Sequence, residues 1–260
     1  MGVMLTLDQL LADRVAIVTG GARGIGRGIA QCLSQAGAHV VIADIRPDLD
    51  AADVAEEIAA SGRRVVVRQV DVADPDQVDA LVQETVDHFG HLDIMVGNAG
   101  IYLEQPFLEL TRGNWERVRS VDLDGAFYCT QAAGRVMAAD NRGGKIILIS
   151  SVHAEIAFPH SAAYDVAKAG IVMLARAAAC ELGPHHINVN VIGPGWVETD
   201  MNRAHLADPE RRKEVEATIP WGRVGQPDDV GKLVVFLAST LSDYITGTYI
   251  RCDGGLLLSK

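Results

Sequence analysis

The chain has 260 residues, 48% of them hydrophobic, and carries a formal charge of −11. That length and apolar content suit one large α/β domain spanning residues 1–260 rather than two small ones. The acidic balance argues against nucleic acid or an anionic membrane surface as a partner. No apolar run is long enough to cross a membrane. Met1 to Asp13 has neither the basic start nor the apolar core of a signal peptide, so a cytoplasmic location is expected. Cys32, Cys129, Cys180 and Cys252 lie far apart, without C-x-x-C or Cys/His spacing. They read as small buried hydrophobes in a reducing compartment, and no metal is expected.

In chain order, Val15 to Val18 is a short apolar run of the kind that forms a buried parallel strand. Thr19, Gly20, Gly21, Ala22, Arg23, Gly24, Ile25 and Gly26 follow, and Arg27 to Gln35 is helical. Strand, glycine loop and helix make a phosphate-binding turn, because glycine permits close backbone approach and the helix start presents free N–H groups. His39 to Ala43 is a second strand ended by Asp44, 18 residues beyond Gly26. An acidic residue at about that distance binds the adenosine ribose of a dinucleotide and repels a 2′-phosphate, which favours NAD over NADP. Arg23 and Arg46 stand nearby as alternative phosphate ligands.

Asp48 to Ser61 is helical, Val65 to Val70 is a third strand, and Asp71-Val72 follows it. Gln77 to Phe89 is the next helix, with Asp74 the better cap and Asp71 the lesser one. Leu92 to Val96 is a fourth strand running into Gly97-Asn98-Ala99-Gly100. Thr111 to Ala139 holds a long helix. Lys145 to Ile149 is a fifth strand ending at Ser150-Ser151, and Ser161 to Leu182 is a second long helix. Ile187 to Ile192 is a sixth strand leading to Gly193-Pro194-Gly195. The polar stretch Trp196 to Trp221, helical near Pro209 to Ala217, reads as a lid. A helix over Pro227 to Ser239 and a short strand over Thr248 to Cys252 end the pattern. Strand and helix alternate throughout, which predicts a doubly wound parallel sheet with its crevice at the carboxyl ends of the strands.

Tyr164 and Lys168 are four residues apart and share one helix face, and Ser151 ends a strand 13 residues before Tyr164. With T-G-x-x-x-G-x-G at Thr19, Gly20, Gly24 and Gly26, this constellation resembles the short-chain dehydrogenase/reductase family over nearly the whole chain. Trp115, Val118, Val121, Leu123, Gly125 and Phe127 fit a further family pattern, and Asn98, Ala99 and Gly100 keep most of its N-N-A-G turn. The resemblance implies a Rossmann-like, seven-stranded, mostly parallel sheet and an oxidoreductase that moves hydride between NAD(H) and a secondary alcohol or ketone. It also implies that Asp71 and Val72 sit beside adenine, that Lys168 binds the nicotinamide ribose, and that Val197 and Thr199 meet the carboxamide from a cofactor-binding turn that includes Pro194 and Gly195.

The residue types suit that chemistry. A base must take the hydroxyl proton, and a free tyrosine, with a pKa of about 10, is a poor one near neutrality. A neighbouring ammonium favours the phenolate, and the Ser151 hydroxyl orients the substrate oxygen. The family's Asn position holds Asp122, which is expected to mimic Asn in shape while its backbone carbonyl serves a proton path. The alternative is that Asp122 titrates within that path.

Tyr102, His153, His160, Trp196, Met201 and Trp221 are the candidate pocket lining, with His153 and Trp196 foremost as substrate residues. Rings and imidazoles there suit a sugar or polyol. A 3-oxoacyl-thioester reductase, or a dinucleotide-binding sensor with little turnover, are the alternatives. Ala126, Cys129, Ala132 and Ala133 on one long helix and Ala169, Val172 and Ala175 on the other suggest, by the resemblance, subunit pairing into a homotetramer.

Overall fold

The computed structural model describes residues 9–200 and 202–259, without the side chains of residues 47–50 and 259. Met201, an expected pocket residue, and residues 1–8 of the N-terminal stretch lie outside it. Seven strands form one sheet: β1 (Val15–Thr19), β2 (His39–Asp44), β3 (Val65–Gln69), β4 (Ile94–Gly97), β5 (Gly144–Ile149), β6 (Ile187–Pro194) and β7 (Tyr249–Cys252). Their order is β3-β2-β1-β4-β5-β6-β7. Every pairing is parallel, so the sheet is parallel throughout rather than mostly so.

The helices are α1 (Gly24–Gln35), α2 (Pro47–Ala60), α3 (Pro75–Phe89), α4 (Arg112–Val118), α5 (Gly125–Asp140), α6 (Ala162–Leu182), α7 (Arg203–Leu206), α8 (Pro209–Ala217) and α9 (Pro227–Ala238). Asp74, not Asp71, caps α3, accepting from the N–H groups of Asp76 and Gln77. The long helix expected over Thr111 to Ala139 is broken. Between α4 and α5, Arg119–Asp124 winds as a π-helix. This wider turn carries Asp122 into the interior, where its carboxylate finds polar partners, as described below.

Side chains alternate across the sheet because strand residues point to opposite faces. Val15 and Ile17 enter one core with Leu81, Ala133 and Ile171. Ala16 and Val18 enter the other with Ile29, Val54 and Val230. Both faces are therefore apolar, which is why the strands read as continuous hydrophobic runs. Ala126, Cys129, Ala132, Ala133 and Ala175 belong to the first core, so they cover the sheet within one subunit. The large apolar groups left outward on α5 and α6 are Phe127, Val166 and Met173. Cys32 and Cys129 are buried, Cys252 is half-buried and Cys180 is exposed, so only part of the cysteine set behaves as core.

The stretch expected as a lid is more ordered than its composition implied. Leu206, Val215 and Ile219 from α7, α8 and the turn after them pack with Val224, Val152 and Leu256 in a small core of their own. Val152 follows Ser151 directly, so this core seats that stretch beside the Ser151 turn. Among the described residues, no helix is long and apolar enough to cross a membrane.

Helices α1 and α9 cross at glycines. A Cβ on Gly231 would lie 2.8 Å from the Gly28 carbonyl oxygen and 2.6 Å from Cys32 Sγ. Helix propensity alone favours alanine over glycine by about 1 kcal/mol, whereas overpacking a tight contact costs about 1–3 kcal/mol. Gly231→Ala is therefore expected to lower the unfolding free energy in denaturant titration. An unchanged or raised midpoint would contradict so close a crossing.

Candidate active site

The chain reverses its winding between β1 and β4, and the crevice opens at their carboxyl ends. Thr19 and Asn98 join the two loops there. The Thr19 hydroxyl accepts from the N–H groups of Asn98 (3.0 Å) and Ala99 (3.2 Å) and donates to the Val96 carbonyl (3.3 Å). Asn98 Nδ2 donates to the carbonyls of Thr19 (2.9 Å) and Gly20 (3.1 Å). The side chains of both residues, expected to bind cofactor, are thus engaged in fastening the crevice floor.

The glycine loop fits a dinucleotide. Gly20 and Gly24 have positive φ, 61° and 53°, which L side chains rarely adopt. A Cβ on Gly26 would sit 2.0 Å from the Gly20 carbonyl oxygen, so the loop closes onto the helix only with glycine there. Arg23 precedes α1 in extended conformation, and no side chain caps the helix. Its open first turn is an anion site of the kind a pyrophosphate occupies. Ile25 packs inward on the second core. Thr199 lies over the loop, with its Cβ 3.4 Å from where a Gly24 Cβ would be. Val197 pairs with Gly225 in an isolated bridge. Pro194 pairs with Cys252 at the end of β6, and the Gly195 N–H donates to the Cys252 carbonyl (3.1 Å).

Asp44 ends β2 beside this loop. Its carboxylate accepts from the N–H groups of Ala22 (3.2 Å) and Arg46 (3.3 Å). Asp71 accepts from the Ala73 N–H (3.0 Å) and shapes the turn after β3. Val72 is buried, and a Cβ on Gly125 would meet it at 2.9 Å, so its side chain belongs to the core rather than to a ligand.

On the other side of the crevice, Lys168 Nζ lies 3.0 Å from Asp122 Oδ2 with both side chains almost fully buried. Asp122 Oδ1 accepts from the Ile101 N–H (2.8 Å). Oδ2 has no aligned hydrogen bond, so its contact with Lys168 is electrostatic. Oδ1 thus reproduces what an amide oxygen would do, while Oδ2 adds a charge that mimicry of Asn leaves out. Lys168 Nζ also donates to the Ile149 carbonyl (3.3 Å) and lies 5.2 Å from the Tyr164 ring centre.

Burial works to lower the Lys168 ammonium, but Asp122 and Tyr164 together outweigh it and hold the pKa above the usual lysine value. Tyr164 is pushed up, first by burial and then by Asp122, against the opposing pull of Lys168 and the Ser151 hydroxyl. The ammonium thus favours the phenolate as expected, yet the net direction is upward, because burial outweighs it and the charge of Asp122 adds to the rise.

Two supporting groups, Ser150 and Tyr249, were not legible as site residues. The Ser150 hydroxyl donates to the Lys168 carbonyl (2.8 Å) and ties α6 to β5. The Tyr249 hydroxyl donates to the Ser151 carbonyl (2.9 Å). Its ring crosses Gly193 so closely that a Cβ there would sit 2.0 Å from the phenol oxygen. Gly100 faces the ion pair: a Cβ would lie 2.9 Å from Asp122 Oδ2 and 3.1 Å from Lys168 Nζ.

Of the expected pocket residues, Tyr102 and His153 join the site. Their rings stand edge-on to Tyr164 at 5.0 and 5.1 Å. The Tyr102 hydroxyl contacts Glu104 (2.8 Å) and Ser161 (2.9 Å), and burial drives its pKa to about 12. His160 is an exposed turn residue with φ 67° whose carbonyl accepts from the Gln105 N–H, which corrects its place in the lining. Trp196 stacks on His205 in the lid with centroids 6.0 Å apart, and Trp221 is mostly exposed. Among the described residues no cluster of three or more His, Cys, Asp or Glu could hold a metal ion.

The family profile described as enoyl-(acyl carrier protein) reductase matches residues 20–257. The chain is 40% identical to an L-rhamnose 1-dehydrogenase (NAD(P)(+)) of Azotobacter vinelandii over 254 residues, 96% of this chain and 99% of that protein. The chain belongs to the short-chain dehydrogenase/reductase family. It is also 37% identical to a 2-dehydro-3-deoxy-D-gluconate 5-dehydrogenase of Escherichia coli, covering 95% of this chain and 96% of that one. Carveol dehydrogenase from Mycobacterium avium, solved in complex with NAD, superposes with a TM-score of 0.91 at 32% identity, covering 96% of this chain and 99% of that one. As a member of this family the protein is an NAD(P)-dependent oxidoreductase acting on CH–OH groups.

This short-chain dehydrogenase departs from the family pattern at Asp122, and the departure has a kinetic signature. Tyr164 is the expected base, oxidation through it requires the phenolate, and Asp122 disfavours that form. Removing that charge lowers the Tyr164 pKa, so the acidic limb of kcat/KM for oxidation moves to lower pH. Asp122→Asn is expected to show this shift, with a several-fold gain at neutral pH. A limb that stays in place, or moves to higher pH, would contradict a charged Asp122 at this position.

Proposed function

We propose that the protein oxidises a secondary or anomeric hydroxyl of a monosaccharide or sugar acid, with NAD as the preferred hydride acceptor. The observation that carries this reading is the polar aromatic wall beside the reacting group: Tyr102 and His153 stand edge-on to Tyr164, next to Ser151. Rings and a hydrogen-bonding imidazole suit a polyhydroxylated ring more than an acyl chain. The two relatives with sugar-derived substrates in their names support it. A carrier-linked thioester is the second reading, and the formal charge of −11 disfavours docking an acidic carrier.

When bound, NAD supplies the acceptor for hydride. The chain supplies the rest. Ser151 holds the substrate oxygen by its hydroxyl. Tyr164, as phenolate, takes the hydroxyl proton as the carbonyl forms. Lys168 stabilises that phenolate and is itself held by Asp122 and the Ile149 carbonyl. Thr19, Gly20, Gly24, Gly26, Asp44, Asp71 and Asn98 frame the dinucleotide crevice. Asp44 sets the preference for NAD, since a fixed carboxylate beside the loop repels a 2′-phosphate.

The protein is further proposed to work as a homotetramer in the cytoplasm. Val166, Ala169 and Met173 recur at helical spacing on the outer face of α6, with Phe127 exposed on α5. Such a stripe suits pairing with a second copy.

The test is a panel of aldoses, deoxy sugars and sugar acids with NAD and NADP, read by nicotinamide absorbance. Turnover of at least one sugar, with kcat/KM higher for NAD, is expected, and Asp44→Ala should narrow the gap. Activity confined to acyl thioesters would overturn the substrate class. Equal or better use of NADP would overturn the role of Asp44.

A further inference from the structure

Half-buried His153 and buried Asp165 form a pair beside Tyr164. His153 Nδ1 lies 2.6 Å from Asp165 Oδ1. Asp165 Oδ2 accepts from the Phe158 N–H (3.1 Å). A carboxylate only accepts, so Nδ1 carries the proton and donates it. In the neutral ring Nε2 is then a bare acceptor. It has no hydrogen-bond partner among the described residues, and it is not sealed in as a buried orphan. The ring is held on its other sides, tilted against Phe158 at 4.3 Å and edge-on to Tyr164 at 5.1 Å. The His153 N–H meanwhile donates to the Ser151 hydroxyl (3.3 Å), so the imidazole and the substrate-orienting serine share one short turn.

We propose that Asp165 is a positioning residue that fixes His153 with Nε2 unprotonated, and that Nε2 accepts a hydrogen bond from the hydroxyl next to the reacting carbon. The preferred substrate is then a vicinal diol whose second hydroxyl donates. This deepens the sugar reading above and rests on it. Both carboxylate oxygens of Asp165 are committed, so the consequence of Asp165→Asn can be worked out. The Phe158 N–H requires an acceptor, which places the new amide oxygen there and turns the NH2 toward His153 Nδ1. Nδ1 must then accept, the proton moves to Nε2, and the group offered to substrate changes from acceptor to donor.

The probes are trans-1,2-cyclohexanediol, which can donate from the second oxygen, and trans-2-methoxycyclohexanol, which cannot. Wild type with NAD is expected to favour the diol by about tenfold in kcat/KM, because a site built around one hydrogen bond rejects the analogue lacking it. Asp165→Asn is expected to reduce that ratio by about fivefold or more, the order of one lost hydrogen bond. Imidazole 15N spectra should show His153 as the Nδ1–H tautomer in wild type and the Nε2–H tautomer in the variant. Should Asp165→Asn not fold, His153→Leu removes the acceptor and should lose the same ratio. A ratio near one in wild type, or one unmoved in the variant, overturns the inference while leaving alcohol oxidation intact. Turnover of neither probe overturns it as well, and silence across the sugar panel removes the functional reading beneath it.

Discussion

A buried carboxylate and a buried ammonium, Asp122 and Lys168, meet at 3.0 Å in the wall of the crevice, and much of the site is arranged around them. Taking two charges out of water is costly, and the pair persists only if geometry and further contacts compensate. The compensation is visible on every side. Asp122 accepts from the Ile101 N–H, Lys168 donates to the Ile149 carbonyl, and the Lys168 backbone is held by Ser150. Gly100 stays a glycine because a side chain would collide with both charges. The π-helical turn between α4 and α5 brings the carboxylate inward to this position. The same pair bears on Tyr164, since the charge that holds Lys168 also disfavours the tyrosinate that Lys168 favours.

The dinucleotide half of the crevice follows a different constraint, close approach of backbone to backbone. Thr19 and Asn98 fasten the loops after β1 and β4, and Gly26 lets the glycine loop close onto α1. At the far end of the sheet, β7 sends Tyr249 across Gly193 to hold the Ser151 carbonyl. The crevice is therefore assembled from the carboxyl ends of strands on both sides of the winding reversal, which is where open parallel sheets bind ligands.

The parts legible in sequence are those written in short range. The glycine loop, the Tyr164 and Lys168 pair on one helix face and Ser151 at a strand end all follow from local spacing. The helix expected near Pro209 to Ala217 forms over Pro209–Ala217, where Asp208 caps its start. What escaped reading depends on distant partners. Tyr249 lies 98 residues from Ser151 along the chain. Asp165 pairs with His153 through the Ser151 turn, although its neighbour Tyr164 was the residue that drew notice. A π-turn carries no hydrophobic period of its own, so the broken helix at Asp122 read as continuous. Thr19, Asn98 and Val72 were expected to face ligand, but their side chains serve the frame, because polar type and position alone do not reveal which partner a side chain chooses. Ala126, Cys129, Ala132, Ala133 and Ala175 turned out to line the core for a related reason, since an apolar helix face covers a sheet and a second subunit equally well.

The most direct test of this account is a double-mutant cycle on Asp122 and Lys168, using Asp122→Asn, Lys168→Met and the double variant, read by unfolding free energy in denaturant. A buried pair in contact predicts that the single losses do not add, with a coupling of at least about 1 kcal/mol, because each single variant strands its partner's polar group in the interior. Additive losses, with coupling indistinguishable from zero, would mean that the two charges do not depend on each other and would contradict the account at its centre.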